Sequence, residues 1–251
     1  PLHGIPVLLK DNIATADKME TTAGSLALIG HKPGRDAHIV TRLREAGAVI
    51  LGKTNMSEWA NFRGSSSVSG WSGRGGQTRN PFSLDRNPSG SSSGSAAGVS
   101  ANLCVVAIGT ETNGSIVSPA SVCGVVGLKP TVGLVSRTGI IPIAATFDTA
   151  GPMTRTVRDA AIVLQVLAGR DPGDRATEAI PADLAVEFAA ALKPGALRGA
   201  RLGVIRGSSS FRPWLEPVLT AAVARLREAG AEVEEIAEFP GGGSFGNASY
   251  Q

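Results

Sequence analysis

Apolar residues come in short runs along the chain, each closed by glycine, proline or a small polar residue, which predicts short elements joined by many turns. Ile5 to Lys10 is one such run; it ends in a lysine before the turn signal Asp11-Asn12 and predicts a strand. Ala37 to Ala46 (AHIVTRLREA) carries apolar residues at helical spacing, with Gly47 as its stop and the strand AVIL after it. Asn61 to Pro88 is polar, glycine-rich and irregular. A loop of that length is functional or disordered, and Trp71 within it is a candidate for loop packing or for lining a substrate cleft.

Ala96 to Ile108 predicts a helix start (AAGVSANL) running into a short buried strand (CVVAIG). From Val125 to Ile143 short apolar runs alternate with Gly and Pro turns, and Thr156 to Ala168 (TVRDAAIVLQVLA) predicts an amphipathic helix, capped near Thr154 or Thr156 and stopped at Gly169. Asp171 to Pro194 reads as a polar surface segment with a modest helix. Then RLGVIRG, a helix around Leu215 to Ala229, and AEVEEI form a strand–helix–strand unit, the signature of a parallel sheet. RLREAGA occurs at residues 42–48 and again at 225–231, the same helix-to-strand junction used twice without a true repeat. The chain is of the α/β class.

Composition narrows the function classes. The 251 residues suffice for one large core or two modest ones, and 42% hydrophobic with 18% charged residues is ordinary for a globular chain. No apolar run reaches the length of a membrane span. The net charge of +3 comes from scattered arginines interleaved with acids, with no aromatic platform, which argues against nucleic-acid binding. Cys104 and Cys123 lack metal or CxxC spacing and read as buried thiols, so no metal or cofactor is expected. Both ends read as cuts through a longer protein, so localisation is not legible.

The candidate chemistry lies between Pro88 and Ser121, where two glycine-wrapped serine clusters, GSSSGS and TNGS, flank the apolar stretch. A flexible linker would lack that apolar insert. Three other patterns fail. GAVILGKT at Gly47 to Thr54 matches the phosphate-binding P-loop expression, yet its variable residues are those of a strand rather than of an exposed loop. Gly90 to Gly94 fits the GxSxG elbow, which needs a histidine later in the chain, whereas His3, His31 and His38 all lie upstream. An order of His before Asp before Ser stays open, but His31 in a polar loop and His38 at a helix start suit a surface role better. No lysine has a serine three residues before it, so the Ser-x-x-Lys arrangement is absent. What remains is a serine activated by a lysine whose burial lowers its pKa. Lys10, at the end of an apolar strand, is the best placed of six lysines, and Lys53 is the second candidate.

The chain resembles the amidase signature family. The matching stretches are GIPVLLKDN around Lys10, AGAVILGKTN at Ala46 to Asn55, GQTRNP at Gly76 to Pro81, GSSSGSAAGV at Gly90 to Val99, GTETNGSIVSPAS at Gly109 to Ser121, CGVVGLKPTVGLVSR at Cys123 to Arg137 and FDTAGPMTRTVRDAA at Phe147 to Ala161. The resemblance implies a mixed β-sheet flanked by helices, in a single domain over residues 1–251 that is incomplete at both ends. It implies amide hydrolysis through an acyl-enzyme, with Lys10 as general base, Ser91 as bridging serine on a cis Gly90–Ser91 bond and Ser115 as nucleophile. Backbone N–H groups of Thr112, Asn113 and Gly114, with that of Ser115, would form the oxyanion hole. Asn113 stands where glycine is usual, and Val117 where many members carry arginine; these details look most like bacterial peptide amidases. The alternatives are the A-type component of a glutamine amidotransferase and an inactive fragment that only binds. The implied partner is a small-molecule or peptide amide, with no obligate protein partner.

Overall fold

The computed structural model describes residues 1–181, 184, 187–205 and 213–236, and the chain divides into two compact units, Pro1–Ala189 and Ala190–Gln251. In chain order the first holds β1 (Pro6–Lys10), α1 (His38–Glu45), β2 (Val49–Thr54), the short strands β3 (Trp71–Ser72) and β4 (Gly76–Gln77), α2 (Ser93–Ser100), β5 (Val106–Glu111), α3 (Val117–Val122), β6 (Val126–Gly127), β7 (Thr149–Thr154) and α4 (Val157–Leu167). Five strands make one mixed sheet in the order β2-β1-β5-β7-β6. β1 is parallel to β2 and β5, and β7 is antiparallel to β5 and β6.

Strand alternation decides where the lysine goes. Val7 and Leu9 of β1 join Val106 and Ile108 of β5 in a core with Ile39, Val40 and Leu43 of α1 and Val163, Leu164 and Leu167 of α4. Each such fully buried aliphatic contributes roughly 1.5–3 kcal/mol. Leu8 faces the other way, against Val99, Cys104 and Ala107. With a period of two, Lys10 shares the face of Leu8, the face that α2 covers.

The predicted elements recur with instructive shifts. α1 and α4 lie where the periodicity puts them, and Thr156 caps α4 by accepting from the Asp159 N–H at 3.0 Å. The P-loop lookalike is indeed β2, paired in parallel along β1. Two boundaries move. The helix predicted from Ala96 starts at Ser93, inside the serine cluster, and the strand predicted to end near Ile108 runs on to Glu111. Gly109, Thr110 and Glu111 belong to the strand because β7 pairs with them from Thr149 to Gly151. β7 itself is not legible, since it contains Gly151-Pro152, a dipeptide that reads as a turn. A Cβ at Gly151 would collide with the Leu128 carbonyl, so glycine is what allows the neighbouring chain to approach.

Gly94 makes the same kind of approach, between α2 and the end of β2. A Cβ there would lie 2.6 Å from the Asn55 oxygen and 2.8 Å from its nitrogen, both backbone atoms. Gly94→Ala is therefore expected to lower stability by about 2 kcal/mol despite alanine's better helix propensity, a loss that urea denaturation would register.

In the second unit, β8 (Arg201–Ile205), α5 (Glu216–Glu228) and β9 (Glu232–Ile236) form the predicted strand–helix–strand, with β8 and β9 parallel. Arg206 and Gly207 of the predicted strand lie outside the described residues. The repeated RLREAGA now has a cause. Gly47 (φ +89°) and Gly230 (φ +92°) take the left-handed conformation after α1 and α5. Ala48 N–H then bonds the Leu43 carbonyl at 3.0 Å, and Ala231 N–H the Leu226 carbonyl at 3.1 Å, the same helix closure in both units.

Candidate active site

The end of β1 and the start of α2 bring Lys10 and Ser91 together across 81 residues of sequence. Lys10 is wholly buried, and its Nζ lies 2.7 Å from Ser91 Oγ, 3.0 Å from the Thr110 carbonyl oxygen and 2.9 Å from Thr110 Oγ1. Asn12 Nδ2 donates to the same threonine hydroxyl at 3.0 Å. Burial pushes the Lys10 pKa from 10.5 down to about 7, opposed by the negative charges of Glu111 and Asp148. Desolvation wins because no carboxylate touches the amine.

The Gly90–Ser91 peptide is cis. Of the serines in this cluster, only Ser91 meets the lysine. Ser92 Oγ is bonded to the backbone of Thr110, Ser93 Oγ donates to the Ser89 carbonyl at 2.7 Å, and Ser95 Oγ donates to the Ile108 carbonyl at 3.2 Å. These three hydroxyls fasten α2 to its surroundings. Ser92 also ties the two clusters together, its N–H donating to the Ser115 carbonyl at 3.1 Å. Ser115 sits in the turn between β5 and α3, largely buried, and among the described residues no group hydrogen-bonds its Oγ.

Glu111, buried at the end of β5, organises that turn. Its carboxylate accepts from the N–H groups of Gly114 at 2.8 Å, Ile116 at 2.7 Å and Val117 at 3.0 Å. One charged side chain thus fixes the residues on either side of Ser115 and satisfies donors at the start of α3. Of the four backbone donors expected to face an oxyanion, Gly114 therefore already has a partner and can contribute only by sharing its proton. The N–H groups of Thr112 and Asn113 carry no hydrogen bond among the described residues. Thr112 Oγ1 donates to Asp148 at 2.5 Å, and Asp148 also accepts from the N–H groups of Ile143 and Ala144.

Sequence reasoning missed Thr110, Glu111 and Asp148. Glu111 gives one sequence signal: an acid three residues before the glycine of a tight turn can satisfy that turn's donors. Glu111→Gln would leave at least one of its three N–H partners facing an amide NH2. The expected cost is about 1–3 kcal/mol, measured by denaturant unfolding.

A cavity of about 290 Å³ opens beside this turn, lined by Thr110, Glu111, Thr112 and Asp148 and by the apolar Ile140 and Ile143. Arg137 also borders it, but its guanidinium is committed to Asp174, holding that carboxyl down at about 2. An apolar cavity of about 350 Å³, lined by Met56, Trp59 and Phe62, adjoins the first through Asn12 and Ile141 to Ile143. Trp71 lines neither; its ring packs in the loop under Arg63, 4.8 Å from the guanidinium carbon, and the tryptophan that lines the apolar cavity is Trp59.

The remaining candidates lie elsewhere. Lys53 Nζ donates to the Ile13 carbonyl and to Thr21 Oγ1, not to a serine of either cluster. His38 is 3.7 Å from Asp171, and the described contacts bring no histidine to Ser91 or Ser115. Both cysteines are buried, their thiols pushed up to about 11 by desolvation, which makes them poor nucleophiles. Among the described residues no group of three His, Cys, Asp or Glu side chains could hold a metal, and no helix is long and apolar enough to cross a membrane.

The sequence model of the family described as Amidase matches residues 1–240. The chain belongs to the amidase signature family. Among solved structures, the native peptide amidase of Stenotrophomonas maltophilia is 58% identical with a TM-score of 0.96, over 99% of this chain and 50% of that one. A probable amidase of Arabidopsis thaliana is 55% identical over 84% of this chain and 41% of its own length. The A-type component of the glutamyl-tRNA(Gln) amidotransferase of Roseiflexus castenholzii is 48% identical over 94% of this chain and 46% of its own length. The chain thus spans about half the length of these relatives. The mixed sheet with flanking helices is the fold of the peptide amidase.

Proposed function

We propose that this chain is the catalytic part of an amide hydrolase in which Ser115 attacks the carbonyl and Lys10 receives its proton through Ser91. The observation that carries this reading is the Lys10–Ser91 contact of 2.7 Å around an amine that burial brings to about 7. The hydrogen-bond inventory supports the direction of transfer. The Thr110 carbonyl can only accept, and Thr110 Oγ1 accepts from Asn12 and Lys10. A neutral Lys10 that gives its two N–H bonds to Thr110 keeps its lone pair for the Ser91 hydroxyl. Ser91 can then pass on the proton of Ser115 as that oxygen forms the acyl bond. The N–H groups of Thr112, Asn113 and Ser115, with a shared one from Gly114, would hold the oxyanion. The amine leaves with a proton returned by the relay, and water clears the acyl-enzyme.

The substrate reading is a peptide or other carboxamide, supported by the likeness to the peptide amidase and by the two adjoining, largely apolar cavities. The family match runs through both compact units, which supports treating residues 1–251 as parts of one domain. A second reading, the A-type component of an amidotransferase that passes ammonia to a partner, is favoured by the 48% identity to such a protein. Ammonia release from amidated dipeptides, free glutamine and simple aliphatic amides separates them. The expected order puts amidated dipeptides first. Faster release from glutamine would favour the second reading, and no release from any would mark an inactive fragment.

A further inference from the structure

Lys53 is a half-buried amine that the triad does not use. It borders an open cavity of about 530 Å³ whose charged lining is Asp11, Lys18, Glu20, Lys32 and Arg74. Neither carboxylate closes on Lys53. Asp11 accepts from Thr22 Oγ1 and from the Gly24 N–H at 3.3 Å, and Glu20 pairs with Arg74 at 2.7 Å. With Arg74 committed to Glu20, Lys18 and Lys32 are the lining cations, besides Lys53, that no carboxylate pairs with among the described residues, and they are what draws in a small anion. Desolvation lowers the Lys53 pKa from 10.5 to about 8; Arg74 pushes the same way, while Asp11, Asp17 and Asp36 pull it back. Lys10 is lower still but wholly enclosed, and Lys18 and Lys32 are exposed. Among these lysines, Lys53 joins a substantial free-amine fraction to an open approach.

We propose that Lys53 is an acylation site for small acyl phosphates, with the phosphate seated between Lys18 and Lys32 and the acyl carbon facing Nζ. The Nζ lone pair forms the new C–N bond at the acyl carbon. The C–O bond to phosphate breaks, inorganic phosphate leaves with its electron pair, and the nitrogen's surplus proton passes to water. The product is a neutral amide with a single N–H, so one of the bonds to Ile13 and Thr21 is given up.

Acetyl phosphate at pH 7, followed by peptide mass mapping of the whole chain, tests this. At that pH roughly one Lys53 in ten is the free amine, against roughly one in 2,500 for an ordinary lysine. Acetylation of Lys53 is expected about tenfold faster than at Lys18, Lys32, Lys129 or Lys193. Inorganic phosphate should protect Lys53 against acetyl phosphate but not against uncharged acetylimidazole. Labelling of Lys53 no faster than that of the exposed lysines would overturn the site. An equal effect of phosphate on both reagents, or on neither, would overturn the phosphate seat.

Discussion

Ser115→Ala is expected to cut amide turnover by a factor on the order of 10⁶, the loss seen when a hydrolase nucleophile is removed. The loss should fall on kcat, because the hydroxyl makes its bond to the substrate only as the reaction proceeds. Stability should barely move. Ser115 Oγ has no hydrogen-bond partner among the described residues, and the turn is held by its neighbours' bonds to Glu111. A variant that retained more than about a hundredth of the rate would shift the nucleophile to another residue.

Lys10→Met should lower turnover by a factor on the order of 10²–10⁴, the range for a lost general base, with a stability signature that separates burial from catalysis. The folded-state pKa of about 7 lies below the ordinary 10.5, so between those values the unfolded chain binds more protons. Stability therefore rises with pH through that window, and the penalty is fully present below about 7. That shift corresponds to roughly 4–5 kcal/mol. Compared with Lys10→Met, the wild-type chain should gain about that much between pH 7 and pH 10.5 in urea unfolding. A difference between the two chains that stays flat across that range would contradict a neutralised, buried lysine. Glu111 and Asp148 enter here as well, because both raise the Lys10 pKa. Removing the Glu111 charge should move the acid limb of the pH–rate profile below about 7.

How much of this was legible depended on whether a residue's burial could be read from its neighbours. Lys10 stood out because a cation at the end of an apolar strand is expensive to bury, and strand alternation then fixed its face. Helices α1 and α4 followed from their periodicity, and the strand–helix–strand of the second unit followed from two short apolar strand runs on either side of a helical one. The serine clusters were visible as chemistry. Which serine meets the lysine rested on the family resemblance, and the geometry supports Ser91 because its neighbours' hydroxyls are bonded to backbone.

The polar end of β5 was not legible for a physical reason. Thr110 and Glu111 look like loop residues until β7 pairs with them, and β7 hides behind Gly151-Pro152. The partners of the lysine and the carboxylate that fixes the turn around Ser115 were therefore invisible to pattern. Of the two readings open for Trp71, loop packing under Arg63 is the one found, because aromatic character alone does not say which way a loop folds; Trp59 lines the apolar cavity.

The most direct measurement is the mass of the peptides released after the chain reacts with a fluorophosphonate at about pH 8, where Lys10 is largely neutral. A single covalent adduct on Ser115, lost in Lys10→Met and in Ser115→Ala, is the expected result. An adduct on Ser91, Ser92 or Ser93 with Ser115 unmodified, or no adduct at all, would contradict a Ser115 nucleophile activated through Ser91 by Lys10.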